Sequence, residues 1–209
     1  SSAASDVYKR QICGIRRMTD RFLKIAITKP EIISSEADMI SSLLVNGLDY
    51  VHIRKPEASL RDIRNLIEDI PYRLRKRLRL HGHFELFNDF NLGGAHLNSR
   101  CPVAPQAACR LSKSCHSIEE LNGCEDYEYV TLSPIFDSIS KAGYHSAFDI
   151  NDLKDKIYSK NVIALGGVTP EKFGQLAAAG FAGAAMLGCI WEDIGSFLQK
   201  INKTICCNI

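Results

Sequence analysis

A closed TIM-type (β/α)₈ barrel in a single α/β domain is the fold that the sequence predicts, and three observations carry it. Strand-like apolar runs alternate with helix-like segments at a steady pace, which argues for parallel strands joined by helical crossovers. Val162-Ile163-Ala164-Leu165 runs into Gly166-Gly167-Val168-Thr169-Pro170, and Gly183-Ala184-Ala185-Met186-Leu187 runs into Gly188. Two strand, glycine and helix junctions thus lie late in the chain, where such a barrel carries its seventh and eighth strands. The stretches Leu44 to Val51 and Ala178 to Ala185 share one pattern of helix, glycine turn and strand, a single αβ step repeated. The structural rival is a doubly wound open sheet. It wants a glycine-rich loop after strand one, which here ends in Thr28-Lys29-Pro30.

In order, Phe22 to Thr28 reads as strand one. A helix over Glu36 to Val45 ends at the Asn46-Gly47 C-cap signal, and Tyr50 to Ile53 is strand two. The second helix covers Leu60 to Ile70 and is stopped by Pro71. Leu78 to His81 is strand three, Phe84 to Phe90 a short helix, and Gly94 to Leu97 strand four. Arg110 to Ser114 is strand five, Ile118 to Leu121 a helical turn, and Tyr129 to Leu132 strand six. A helix over Glu171 to Ala179 separates the last two strands. The polar first seventeen residues show neither period and read as a disordered tail or an artificial or gene-call extension, with Met18 a plausible start. The barrel is placed on residues 18–209.

The 209 residues suffice for a small barrel with short loops and leave no room for a second domain. With 45% apolar and 24% charged residues, the composition is that of a globular protein with an ordinary core. A net charge of +2 points to no partner. The run Arg73 to Arg79 invites a nucleic-acid reading, but no stacking aromatics lie within it and it leads into an apolar strand, so it reads as a solvated helix end. Eight irregularly spaced cysteines without a Cys-x-x-Cys pair read as free thiols in a reducing cytoplasm, and no segment is apolar enough to cross a membrane. Homo-oligomers are common for barrels, but no apolar stripe is assignable.

The glycine turns at Gly166-Gly167 and Leu187-Gly188 let backbone N–H groups approach an anion beside a helix start, so a phosphate ester is the first inference. At the C-terminal strand ends, where barrel enzymes keep their chemistry, fall His52 and Arg54, His81 and His83, His96, and His116. Imidazoles there pass protons, hold phosphate or bind metal; the bland alternative is hydrogen-bonded pocket wall. His81-Gly82-His83 puts two rings on one strand face, yet no carboxylate ends strands four to eight, so no metal is expected. Ser138, Ser140 and Lys141 in the sixth loop suit phosphate or diphosphate oxygens, or a plain capping loop. Ser117 with Glu120 is a capping box beside His116.

Five of these segments, in order from about Phe22 to Trp191, resemble the thiamine phosphate synthase and TenI family. They are Tyr50 to Lys55, Gly94 to Leu97, Ser114 to Glu120, Ser133 to Phe136 with Lys141, and Ala164 to Gly167. The resemblance implies a role in thiamine biosynthesis and a thiazole phosphate on the Gly166, Gly167, Leu187 and Gly188 backbone. It also implies that synthases hold magnesium on an Asp after an Asn at the end of strand three, and on a second Asp after strand four. Here those places fall on His81-Gly82 and near Arg100, and the family's Gln-x-Arg-x-Lys becomes His52-Ile53-Arg54-Lys55-Pro56, with Lys55 the substitute cation. The likeness at His116 implies the acid/base of a TenI-like thiazole tautomerase, a reaction that needs no metal. A neutral-range imidazole suits that task. The alternatives are a synthase joining hydroxymethylpyrimidine diphosphate to thiazole phosphate with magnesium, and a non-catalytic thiazole phosphate sensor.

Overall fold

Eight parallel strands pair in chain order and close β1 onto β8. The computed structural model describes residues 21–107, 110–137, 146, 148–157 and 161–206; the tail expected over residues 1–17 lies outside them. The first half comprises β1 (Leu23–Ile27), α1 (Glu36–Val45), β2 (Tyr50–Ile53), α2 (Leu60–Asp69), α3 (Tyr72–Arg75), β3 (Leu78–Leu80), a 3₁₀ turn at Phe84–Asn88 and β4 (Gly94–Leu97). The second comprises β5 (Leu111–Cys115), a turn at Glu119–Leu121, β6 (Tyr129–Leu132), α4 (Ile150–Ile157), β7 (Val162–Leu165), a turn at Pro170–Lys172, α5 (Phe173–Ala178), β8 (Gly183–Met186), α6 (Gly188–Trp191) and α7 (Ile194–Cys206).

Local chemistry explains these boundaries. Ser59 caps α2 by accepting from the Asp62 amide while the Asp62 carboxylate accepts from the Ser59 amide, and Pro71 stops the helix just beyond Ile70. One face of α2 buries Ile63, Leu66 and Ile67 against the sheet. The expected helix from Glu171 divides into a 3₁₀ turn and α5. The sequence pattern did not reveal α4 or α7, because Ile150 to Ile157 and Ile194 to Cys206 lack a glycine or strand junction of the kind that marked the others.

The arginine run is a solvated helix end only in part: Arg73 and Lys76 are exposed at the end of α3, and the other three arginines are engaged. Arg75 donates to the carbonyls of Ile70 and Glu68, Arg77 to those of Leu44, Leu48 and Asp49, and Arg79 is 1% exposed inside the barrel. These guanidiniums satisfy carbonyls left open at helix ends and turns, which a charge count cannot distinguish from solvation.

Two cores result. The larger lies between sheet and helices and includes Ile40, Leu43, Leu44, Ile67, Leu176 and Phe197. The smaller fills the barrel and is one-sided: Leu23, Ile25 and Ile27 of β1, Ile163 of β7 and Ala185 of β8 make an aliphatic half. The inward positions of β2 to β6 carry His52, Arg79, His96, Ser112 and Tyr129 instead, all essentially buried. Trp191, the single tryptophan, donates its indole N–H to the Ile27 carbonyl at 2.7 Å and ties α6 to the end of β1.

Candidate active site

A cavity of about 790 Å³ opens at the C-terminal ends of the strands. Its walls carry Arg54, His81, His83, Arg100, Lys113 and His116, and, among the described residues, one carboxylate, Glu120. Side chains from the second to the fifth strand ends therefore converge, as the barrel topology requires.

His116 stands just beyond β5, exposed at the cavity rim. Its amide donates to Glu120 Oε2 at 2.9 Å, and its Nδ1 lies 3.2 Å from Ser133 Oγ at the end of β6. The capping box forms by half: Ser117 Oγ accepts the Glu120 amide, but the Glu120 carboxylate reaches back to residue 116 rather than 117. That reach fixes the backbone that carries the ring. Ser133 opens one of the family-like segments, but its place beside His116 depends on the β5–β6 pairing.

The pair His81 and His83 does not share a strand face. β3 ends at Leu80, and His83 takes a left-handed conformation, φ 51°, at the head of the following 3₁₀ turn, with Nε2 donating to the Ala58 carbonyl at 3.0 Å. His81 turns inward to two other imidazoles. His52 Nδ1 is 2.9 Å from His81 Nε2, and His52 Nε2 is 2.6 Å from the Tyr129 hydroxyl. His96 lies between Ser112 Oγ at 2.8 Å and Ser114 Oγ at 2.9 Å. Burial and the neighbouring charge of His96 and Arg54 hold His81 well below the usual imidazole range. Burial, then the other two rings and Arg79, do the same to His52, and burial with Arg79 brings His96 down to about 3. All three are neutral near pH 7. Ser112, Ser114 and Tyr129 read in sequence as ordinary strand residues; only the inward alternation of β5 and β6 aims them at the rings.

Lys55 lines the cavity, but its ammonium is engaged by protein oxygens. Its ammonium donates to Glu36 Oε1 and to the carbonyls of Lys29 and Glu31 at 2.6 to 2.8 Å, and the ion pair is 0% and 1% exposed. The lysine is consumed in clamping the loop after β1 to the end of β2. Arg54 keeps its place on the wall, its amide fixed by Thr28 Oγ1. Ser138, Ser140 and Lys141 lie outside the described residues.

Gly166 and Gly167 have φ of 95° and 60°, and a Cβ on Gly167 would strike the Asp137 carbonyl. Only glycine fits there. The wall of the cavity reaches Leu165 and does not include Gly166, Gly167, Leu187 or Gly188, which sit beside it at the ends of β7 and β8.

Magnesium, which the synthase chemistry implies, demands several hard oxygen donors. Glu120 is already engaged by the His116 amide, and residues 138–145 contain no carboxylate in sequence. The donor set does not fit that ion.

The sequence profile described as thiamine monophosphate synthase matches residues 25–190. The chain belongs to that family. A crystal structure of a thiamine phosphate pyrophosphorylase from Bacteroides thetaiotaomicron is 33% identical, with 88% of this chain and 98% of that one covered and a TM-score of 0.76. The thiamine-phosphate synthase of Latilactobacillus sakei is 26% identical over 132 residues, 57% of this chain and 59% of the relative. That of Limosilactobacillus reuteri is 24% identical over 133 residues, 57% of this chain and 62% of the relative. This member of the thiamine monophosphate synthase family thus spans about three fifths of the curated relatives it matches. Among the described residues no helix is long and apolar enough to cross a membrane.

Proposed function

We propose that the protein binds a thiazole phosphate and moves one proton within it, as a thiazole tautomerase, with His116 as acid/base. The observation that carries this reading is the cavity wall, rich in imidazole and fixed cations and with one carboxylate already bonded to backbone. An isomerisation by proton transfer needs a group that takes and returns a proton near neutrality, and imidazole is the side chain suited to that task. The glycine turns after β7 and β8 supply backbone N–H groups for the phosphate, with Arg54 and Lys113 near enough to the cavity to balance further negative charge on the ligand.

A second reading, thiamine phosphate synthase, is favoured by the names of the relatives. Joining a pyrimidine diphosphate to the thiazole phosphate would have to neutralise the departing diphosphate without magnesium ligands, on Arg54, Arg100 and imidazoles. One experiment separates the two. Purified protein is given the thiazole phosphate tautomer, alone and then with hydroxymethylpyrimidine diphosphate and magnesium. Conversion to the aromatic thiazole, indifferent to chelator, supports the tautomerase; magnesium-dependent formation of thiamine phosphate at a useful rate overturns it.

A further inference from the structure

Cys115 ends β5 directly before His116, and Cys124 follows the 3₁₀ turn at Glu119–Leu121. Both are free thiols, and both aim at one acceptor. Cys115 Sγ donates to the Glu120 carbonyl at 3.5 Å, and Cys124 Sγ donates to the same oxygen at 3.1 Å. The short loop that the two sulfurs bracket carries His116, whose amide is held by the carboxylate of that same Glu120. Metal binding does not account for the pair: among the described residues, neither thiol belongs to a group of three ligating side chains.

The two sulfurs differ in access. Cys115 is 0% exposed, whereas Cys124 is 9% exposed and lies between the exposed Gly123 and Glu125. A Cβ on Gly123 would meet nothing within 4 Å, so the backbone beside Cys124 borders open space. Cys124 is the sulfur that a reagent meets first, with Cys115 behind it. Burial, then the adjacent Cys124 thiol, pushes the Cys115 thiol up and keeps it protonated. Glu119, Glu120, Glu125 and Asp126, all exposed, flank the pair along the chain. Those carboxylates repel anionic disulfides and leave the approach to a small neutral oxidant.

We propose that Cys115 and Cys124 form a modification site, which a peroxide oxidises to a disulfide that takes both donors from the Glu120 carbonyl and frees the backbone of His116. The Cys124 sulfur attacks the peroxide, the O–O bond breaks, and a sulfenic acid and one water result. The Cys115 sulfur then displaces the sulfenic hydroxyl, which leaves with the Cys115 proton as a second water. Two electrons pass from the sulfurs to the peroxide, and excess thiol reverses the bond. A carbonyl that loses two S–H donors turns toward water and carries the Glu120 side chain with it. The carboxylate then leaves the His116 amide. The site goes beyond the tautomerase reading; only its effect on turnover rests on that reading.

The test treats the full chain, reduced and freed of reductant, with hydrogen peroxide, then blocks it with N-ethylmaleimide in denaturant and maps its peptides by mass without reduction. The expected product is a Cys115–Cys124 link, two hydrogens lighter than the dithiol and lost on treatment with dithiothreitol. Hydrogen exchange at the His116 amide, read by NMR, is expected to be faster by about tenfold or more in the linked protein. Cys124→Ser keeps a hydroxyl donor for the Glu120 carbonyl, so it should retain the slow exchange of the reduced form and ignore peroxide. Conversion of thiazole phosphate should fall by about fivefold or more in linked wild type, return with dithiothreitol and stay unchanged in the variant. Two thiols still open to alkylation, Cys124 oxidised further without a link, or a link that leaves His116 exchange or an active protein's turnover unchanged overturns the proposal. A link with faster exchange in a protein that converts no thiazole phosphate even when reduced sinks the tautomerase reading and leaves the modification site standing.

Discussion

At the scale of single residues, the site divides into groups that face the cavity and groups that are spent on holding the fold. His116 belongs to the first: it is at the rim, with its backbone fixed by Glu120 and its ring beside Ser133. Replacing it with Ala is expected to lower kcat for tautomer conversion by about a hundredfold or more while phosphate-ligand affinity, read by calorimetry, stays close to wild type. His96 illustrates a pH effect whose sign follows from its burial. An unfolded imidazole takes up a proton below about 6.5, but the folded one resists until about 3, so the unfolded state binds more protons between these values. Stability is therefore full above about pH 6.5 and declines as pH falls toward 3, by up to about 1.4 kcal/mol per pH unit from this ring. Urea unfolding of wild type and of His96→Gln, compared between about pH 7.5 and 5, should give a shallower slope for the variant. The histidines at strand ends were legible in the sequence because barrels concentrate chemistry there. Which of them would turn inward was not, since β3 ending at Leu80 rather than His81 decides the direction of that ring.

At the scale of elements, the clamp between Lys55 and Glu36 shows why a cation in a family-like motif is not automatically a ligand contact. The ammonium is surrounded by three protein oxygens contributed by the loop after β1 and the start of α1. Changing Lys55 to Met strands a buried carboxylate and is expected to cost about 3–5 kcal/mol in urea unfolding, with Glu36→Gln in the same chain recovering part of it. Gly167→Ala combines a left-handed φ with an overlap against the Asp137 carbonyl. It should destabilise by about 1–3 kcal/mol and weaken phosphate-ligand binding in the same calorimetric titration. Strand positions were readable from the apolar runs and glycine junctions, and all eight lie within a residue of their expected ends. Helices α4 and α7 were not, because their amphipathic patterns sit among polar loops, and the Asp193 side chain that caps α7 by accepting from the Ser196 amide is an ordinary loop residue in sequence.

At the scale of the whole molecule, the barrel interior is divided lengthwise into an aliphatic side built from β7, β8 and β1 and a hydrogen-bonded side built from β2 to β6. The polar side reaches the N-terminal floor, where Arg79 pairs with Glu128 at 2.9 Å and lies over the Tyr50 ring, with Arg110 on the other Glu128 oxygen at 2.8 Å. The hydrogen-bonded groups are thereby kept apart from the hydrocarbon that holds the strands together. Alternation along each strand was visible in sequence, but the angular sorting of polar and apolar residues around the barrel emerges only once the strands are closed in order.

The indole of Trp191 stands at the seam where the last helices meet the first strand, mostly shielded from water and bonded to a backbone carbonyl. Because it is the chain's one tryptophan, intrinsic fluorescence becomes a local gauge of that seam: short-wavelength emission while the circle is shut, and a red shift, resolvable in stopped flow, when the C-terminal segment peels away.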